Sequence, residues 1–524
     1  MRWLRSVRLR LFLAVLATCA PFFATNVVRE HYPALALARG AGLRCDAFVV
    51  DRADPAAPGG VRAEPLISDL FRHHDGHWYA NNQVGASLVA APVLLAATPL
   101  LDAVEAIGRR QAAAAAERGD VPQLDSAYPR RAQFFADVFA RGWHLLLPAV
   151  AALTALLVMA PAAAWLALRF HDELVRRGVA PGRAAALALL LPVATPLLFR
   201  SAILNHNQLV ALLAFAAFVV LRPGAPAGAT ATRGRLLVGG ACAGATLLFD
   251  YSGVVVAAAF GLAALVDGAR GGGAREAARR GALLLLGALP PVALLLFTQW
   301  WQFGAALRPA QHWMPDAHWS VAGYRGIDWP DPGLLVRNLF DPSFGLFAFA
   351  PLLLLALVPP RRDDVVRVAP GERRFILLFS AAFALFCAMN RFTDLQWNTG
   401  FRCLAPVAPL LMVLAAGPLA RLSGRGLLLL CAPFALHALV LAMFRFTSPF
   451  RPASFAESTI ARSWGAFLER GIQLPWLTSW RQSQGGGPWW AGFAATLVLA
   501  LAAIVSLLLW RAGARAAAAA EAAR

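Results

Sequence analysis

Carboxylates and histidines are scarce in this chain, and those able to do chemistry gather in a few places. The first is Arg29-Glu30-His31-Tyr32, about one turn beyond an apolar N-terminal run. A carboxylate at that position is partly desolvated, so Arg29 and lipid can tune its pKa. It can then deprotonate or orient a hydroxyl. The second is His73-His74-Asp75-Gly76-His77-Trp78-Tyr79, followed by Asn81-Asn82-Gln83. Asp75 offers a second carboxylate, and Trp78 and Tyr79 offer flat faces to a substrate. Asp-Gly is equally an ordinary turn dipeptide. The histidines with Asp75 suggest a divalent metal as an alternative, but their spacing matches no defined ligand geometry, so no metal and no other cofactor is expected. The third comprises Arg200, Asn205, His206, Asn207 and Gln208, and with them Asp250-Tyr251, all at the junctions of apolar runs. Polar groups at membrane depth are costly and usually face a cavity, although a short solvated turn is the plain reading. The fourth holds Asn390, Arg391, Asp394, Trp397 and Arg402. Arg402 lies just inside an apolar run, where a lone charge needs an anion or must snorkel to the headgroups. A guanidinium there suits a phosphate.

The elements that must position these residues are membrane helices. Of 524 residues 59% are hydrophobic, mean hydropathy is +0.58, and 15% charge is too little to cover a soluble chain of this length. The net charge of +19 is carried by arginine in short clusters between apolar runs. That is the positive-inside pattern of a membrane protein, not a nucleic-acid face. The six cysteines show no CxxC or CxxH spacing, which argues against a disulfide framework and a zinc site. Near the N-terminus, Leu11 to Val28 is long enough for a tilted span and no A-x-A site follows, so an uncleaved signal anchor is expected.

Further spans are expected at 145–168, 184–200, 203–221, 235–249, 253–267, 281–300, 343–358, 375–390, 402–420, 427–445 and 489–510. The expected fold is therefore an all-α polytopic transmembrane bundle of about twelve spans (11–13) with both termini cytoplasmic. Arginine clusters such as Arg176-Arg177, Arg270 to Arg280 and Arg361 to Arg374 fall inside, and many tryptophans fall outside. The apolar run 84–108 would upset this alternation as a crossing. It is expected to lie along, or dip into, the outer leaflet within one external loop, 29–142. Residues 1–445 then form the main module, and 446–524 add an external loop, a last span and a short tail.

Several stretches resemble bacterial polytopic proteins of the glycosyltransferase C superfamily, whose relatives include protein O-mannosyltransferases and lipid A aminoarabinose transferases. Asp75-Gly76-x-x-Tyr79 running into Gly85-x-Ser87-Leu88-x-x-Ala91-Pro92 is similar to that family's first-loop motif. Asn338 to Phe347 with Ala350-Pro351, Gly400 to Pro406, and Ser201 to His206 resemble three others, in the same order. Where relatives often carry an Asp-Glu pair just after the first helix, this chain has Arg29-Glu30. The resemblance implies a polyprenyl-phosphate-linked sugar donor, an external active site and an acid of the first loop as catalytic base.

Together these readings lead to a multi-pass transferase of the bacterial inner membrane, facing the periplasm. Its partners would be membrane lipid, the polyprenyl-phosphate sugar and a periplasmic glycan, lipid or protein acceptor; nucleic acid is not among them. Glu30 and Asp75 are the expected catalytic acids. Arg402, Arg200 and His206 are expected at the donor phosphate, and Trp78, Tyr79, Asp250 and Trp397 at the substrate. The alternative is a non-catalytic polytopic protein, either a transporter or an assembly factor for envelope polysaccharide.

Overall fold

The computed structural model describes residues 6–25, 27–56, 58–120, 129–224, 232–317, 320–395, 402–444, 452–478, 492–504 and 506. Helices stand where apolar length predicts them: Val7–Cys19, Leu146–Arg176, Pro181–Val193, His206–Leu221, Arg233–Phe249, Pro370–Met389, Ala408–Arg421, Gly424–Met443 and Gly492–Ile504. Among the described residues three helices are long and apolar enough to cross a membrane, Leu146–Arg176, Gly253–Phe303 and Gly424–Met443, or four if one bent pair counts as a span. The chain is a helical membrane protein. Phe170, Phe215, Phe218, Phe260, Phe375, Phe379 and Phe383 stack through its core at ring separations of 5.0 to 6.3 Å.

The 51-residue run Gly253–Phe303 is two antiparallel arms, not one rod. Gly272 and Gly273 leave helical geometry, and Gly273 has φ +71, a left-handed value that glycine adopts without a Cβ penalty. The arms close on each other so tightly that a Cβ on Gly268 would lie 2.6 Å from Ala277 Cα. These arms correspond to the spans expected at 253–267 and 281–300.

Two expectations need correction. Residues 343–358 do not form an α-helical span: they hold one α turn, Leu346–Phe349, and a seven-residue 3₁₀ helix, Pro351–Leu357. Pro351 lacks the N–H that would continue the α ladder. The 3₁₀ segment, rising about 2.0 Å per residue, buries Leu352, Leu353 and Ala356 and packs along Ala408–Arg421. The fold is also not purely helical. In the loop 29–142, β1 (Val49–Ala53) pairs antiparallel with β2 (Val61–Pro65), and β3 (Leu70–Arg72) with β4 (Trp78–Ala80). Short strands of this kind escape a search for long apolar runs, and their turns are set by Pro58-Gly59-Gly60 and by Asp75-Gly76, where Gly76 has φ +87.

The run 84–108 is no straight helix. Gly85–Ala96 and Thr98–Arg118 meet at a 79° bend around Ala97. Pro99 stands in the first turn of the second limb, where its missing N–H would have no intrahelical partner, so the chain restarts as a new helix there. The second limb is anchored by Glu105, which is buried against Arg39, Arg109 and the Trp143 indole N–H (3.0 Å to the last).

The bend generates a topological prediction. In a cysteine-free background, single cysteines at the exposed positions Ser68 and Ala113 should both react with a membrane-impermeant thiol reagent added outside intact cells. Labelling of only one from that side would make the bent pair a crossing.

Candidate functional site

Glu30 sits where the chain turns from the first helix into the short helix His31–Ala38. It is almost fully buried, at 3% exposure. Two features of the bent pair hold it there. The Ser87 hydroxyl donates to the Glu30 carbonyl at 2.7 Å. Gly85 lies so close to the end of Arg233–Phe249 that a Cβ would fall 2.5 Å from the Leu248 carbonyl oxygen. Only a residue without a side chain allows that approach. The loop is thus seated directly on the helix whose C-cap is Asp250.

Asp250 has left helical geometry (φ −157, ψ 142), and its Oδ1 accepts from the Ser252 N–H at 2.7 Å. His206 opens the helix His206–Leu221. Asn205 caps that helix by accepting from the Gln208 N–H at 3.0 Å and donates to the Arg200 carbonyl at 2.7 Å. The imidazole joins the two acids: Nδ1 lies 2.6 Å from Glu30 Oε1, and Nε2 lies 3.1 Å from Asp250 Oδ2. An ionised carboxylate only accepts, so a ring held between two of them donates from both nitrogens and carries a positive charge.

Arg29 completes the charge balance, with Nε 3.5 Å from Glu30 Oε1 and Nη1 3.6 Å from Asp69 Oδ1. Burial alone would raise the Glu30 carboxyl. The hydrogen bond and charge of His206, followed by the charge of Arg29, outweigh it and hold the group at about 2. Burial opposes ionisation of Asp250 as well, and His206 and the Ser252 amide pull its carboxyl below the usual carboxylate range. Beside this cluster His31 is neutral, since burial pushes its imidazole down to about 4. Its ring spans from the Val28 N–H (2.9 Å) to Thr154 Oγ1 (2.9 Å), tying the loop to the turn where Leu146–Arg176 changes to π geometry.

A second cationic group stands next to the first. The guanidinium groups of Arg29 and Arg402 lie 5.8 and 5.2 Å from the centre of the Phe392 ring. Arg402 Nη2 is buried with no hydrogen-bond partner among the described residues. The charges of Arg402, Asp250 and Arg200 all act on the Cys403 thiol, which puts Arg200 in the same neighbourhood. Asn82 Oδ1, Asn207 Oδ1 and Gln208 Oε1 are buried and without partners as well. Buried polar atoms are normally satisfied, so these are the atoms near the cluster left able to make further polar contacts.

Of the residues singled out from sequence, Glu30, His206 and Asp250 meet directly, and Arg402 and Arg200 are their neighbours. Asp75 does not join them. It closes the β3–β4 turn, accepting from the His77 N–H and the Tyr79 hydroxyl, each at 2.9 Å. The link from hairpin to cluster is Asn81, at the opposite end, which accepts from Arg29 Nη1 at 3.3 Å. From Trp78 to Asn81 three strand steps of about 3.3 Å separate the turn from the cluster. Tyr79 packs on Phe303 and His73, and the Trp78 N–H donates to Asp46 Oδ1 at 2.7 Å. Trp397 lies outside the described residues. Among the described residues no group of three or more His, Cys, Asp or Glu is arranged to hold a metal ion.

Sequence reasoning gave no role to Asp69, Asn81 or Ser87. Ser87 had a usable signal, being the one polar side chain in Gly85–Ala96. Asp69 had none.

No protein-family model matches the chain, and no curated protein does. Among solved structures it is similar to the crystal structure of ArnT from Cupriavidus metallidurans bound to undecaprenyl phosphate. Sequence identity is 15% and the TM-score is 0.45, over 97% of this chain and 76% of that one.

The charge arrangement predicts acid sensitivity with a definite sign. Glu30 titrates near 4.5 when unperturbed and at about 2 in the fold, so its stabilising contribution is complete above 4.5 and is lost as pH falls from there towards 2. Thermal melting of the detergent-solubilised protein from neutral pH to about pH 3 should show stability dropping in that window. Glu30→Gln should flatten the slope, and equal slopes in both proteins would contradict the assignment.

Proposed function

We propose that this protein is a membrane glycosyltransferase that moves a sugar from a polyprenyl-phosphate donor to a glycan, lipid or protein acceptor. In this reading it is a multi-pass protein of the bacterial inner membrane, and the site faces the periplasm. The observation that carries it is the buried Glu30–His206–Asp250 bridge beside a guanidinium edge, Arg402 Nη2, that no described side chain or backbone group satisfies. The sequence motifs around Gly85, Ser201 to His206 and Arg402 support the same reading.

In the reaction the acceptor oxygen attacks the anomeric carbon of the sugar. The bond from that carbon to the phosphate oxygen breaks, and its electron pair leaves with polyprenyl phosphate. The acceptor's proton passes to Glu30. His206 and Arg29 both reach Oε1, which makes Oε2 the oxygen offered to the acceptor. A carboxyl held at about 2 is a weak base towards a free alcohol. It suits a transition state of oxocarbenium character, in which bond breaking runs ahead and the attacking hydroxyl has already become acidic. Arg402 offsets the charge growing on the leaving phosphate, and Arg200 adds to the field. Asp250 holds the imidazolium that orients Glu30. Trp78, half-buried on the hairpin, offers a ring face to the sugar or acceptor; Tyr79 is buried against Phe303 and His73 and, with Asp75, sets the hairpin.

The test is transfer of radiolabelled sugar from a panel of polyprenyl-phosphate donors in proteoliposomes. Glu30→Gln should lower the rate by about 10²–10⁴-fold, the range for loss of a general base, without loss of expression or membrane insertion. Arg402→Ala should cost about 10²–10³-fold, as removal of a charge-stabilising donor does. Full activity in Glu30→Gln would remove that residue from the mechanism. Absence of transfer from every donor by the wild type would favour a non-catalytic transporter or assembly factor.

A further inference from the structure

A second concentration of charge lies at the other end of His206–Leu221. That helix has 16 residues and so spans about 24 Å at 1.5 Å per residue. There a cleft of about 640 Å³ is lined by Arg176, Arg177, Arg222, Arg362 and Arg367, with Asp363 and Asp364. It forms where three elements end or begin: the last turn of Leu146–Arg176, the residue after His206–Leu221, and the segment leading into Pro370–Met389. The volume is in the range of small-molecule sites, about 300–1,000 Å³.

Arginines on the face that the sequence pattern assigns to the cytoplasm need no special purpose. Charge accounting separates this cleft from that background. Its lining carries five arginines and two aspartates, a net +3. Asp364 is engaged with Arg421, whose Nη2 lies 2.7 Å from Oδ2. Glu173 and Glu372, which are buried below the cleft, are engaged with Arg176 and Arg177; Arg177 Nη1 is 2.9 Å from Glu372 Oε2. Arg222 gains only a distant contact, 3.8 Å to Glu372 Oε1, and its Nε is buried with no hydrogen-bond partner among the described residues. Its backbone is held at φ +51, a left-handed value that is uncommon for residues other than glycine. The turn is kept there by the next residues, since Gly224 presses on Gly371 and its N–H donates to Asp267 Oδ2 at 2.9 Å. The charges of Arg222, Arg177 and Arg235 act on Arg176, offset in part by Glu372. Like charges are thus packed around a cavity, with Asp364, Glu173 and Glu372 already engaged.

We infer that this cleft binds a phosphoryl anion, at a site separate from the Glu30 cluster and on the opposite end of the helix. The chemistry is shared by the headgroup of an anionic phospholipid and by a soluble phosphate. Basic pockets between membrane helices on the cytoplasmic side commonly take anionic headgroups. The inference does not depend on the transferase reading.

The experiment uses the full-length protein in neutral detergent at low ionic strength. Thermal stabilisation is followed as phosphatidylglycerol, phosphatidylcholine or inorganic phosphate is added. Phosphatidylglycerol should stabilise the wild type, and phosphatidylcholine should not. Arg222→Ala, and separately the exposed pair Arg362→Ala with Arg367→Ala, should weaken the apparent affinity by about tenfold, as expected when one or two arginines leave an anionic surface. The surface pair guards against a folding defect in Arg222→Ala. Arg270→Ala with Arg275→Ala, on the helical hairpin, should leave binding unchanged. Stabilisation by inorganic phosphate equal to that by phosphatidylglycerol would support the site and name a soluble ligand. Equal response to both lipids without a response to phosphate, or undiminished binding in both cleft variants, would overturn the inference.

Discussion

A single imidazole between two buried carboxylates is the interaction on which the seating of the first loop depends. His206 bridges Glu30 and Asp250, which belong to the first loop and to the junction after Arg233–Phe249. Without the ring, two like charges would face each other in a site from which water is excluded. Without either acid, a buried cation would lose half of its compensation, and such losses cost several kcal/mol, typically about 3–5. Arg29 brings the set to two anions and two cations, and Asn81 extends it to the hairpin β3–β4. The geometry required by this charge balance also holds one carboxylate near Arg402, whose Nη2 has no hydrogen-bond partner among the described residues.

The balance is possible only because the loop can reach it. Glycine at 85 lets a helix of the loop rest on the backbone at Leu248, and Ser87 then holds the Glu30 carbonyl. The bend at Ala97 turns the remaining apolar run aside, and Glu105 secures it against Arg39, Arg109 and Trp143. His31 and Thr154 provide a second tether, from the same loop to a helix long enough to cross the membrane.

The two ends of His206–Leu221 show opposite electrostatic solutions. At His206 each buried charge has a partner within hydrogen-bonding distance, and the field of the cluster is nearly closed. At Arg222 the backbone is locked, the acids are engaged by other arginines, and the excess charge opens into a cleft. An anion approaching the first must compete with carboxylates, whereas one approaching the second meets a net positive lining.

Much of this was legible in the chain itself. The length of the apolar runs determined where most helices stand, because a membrane helix must satisfy its own backbone. The isolation of Glu30, His206, Asp250 and Arg402 at the ends of those runs marked them individually, because a charge at such a depth needs a partner. The sequence did not determine which partner each would find. Glu30 and His206 are 176 positions apart, and nothing in local periodicity says which helix ends adjoin. Nor did it separate Asp75 from Glu30, since a hairpin only three residues to a strand left no apolar pattern to read. The 3₁₀ segment after Pro351 was hidden for the reverse reason: its composition is that of a span, and only packing against Ala408–Arg421 set its geometry. Residue type and spacing determined which groups must be compensated; the tertiary structure decided by what, because burial brings together charges that the chain keeps far apart.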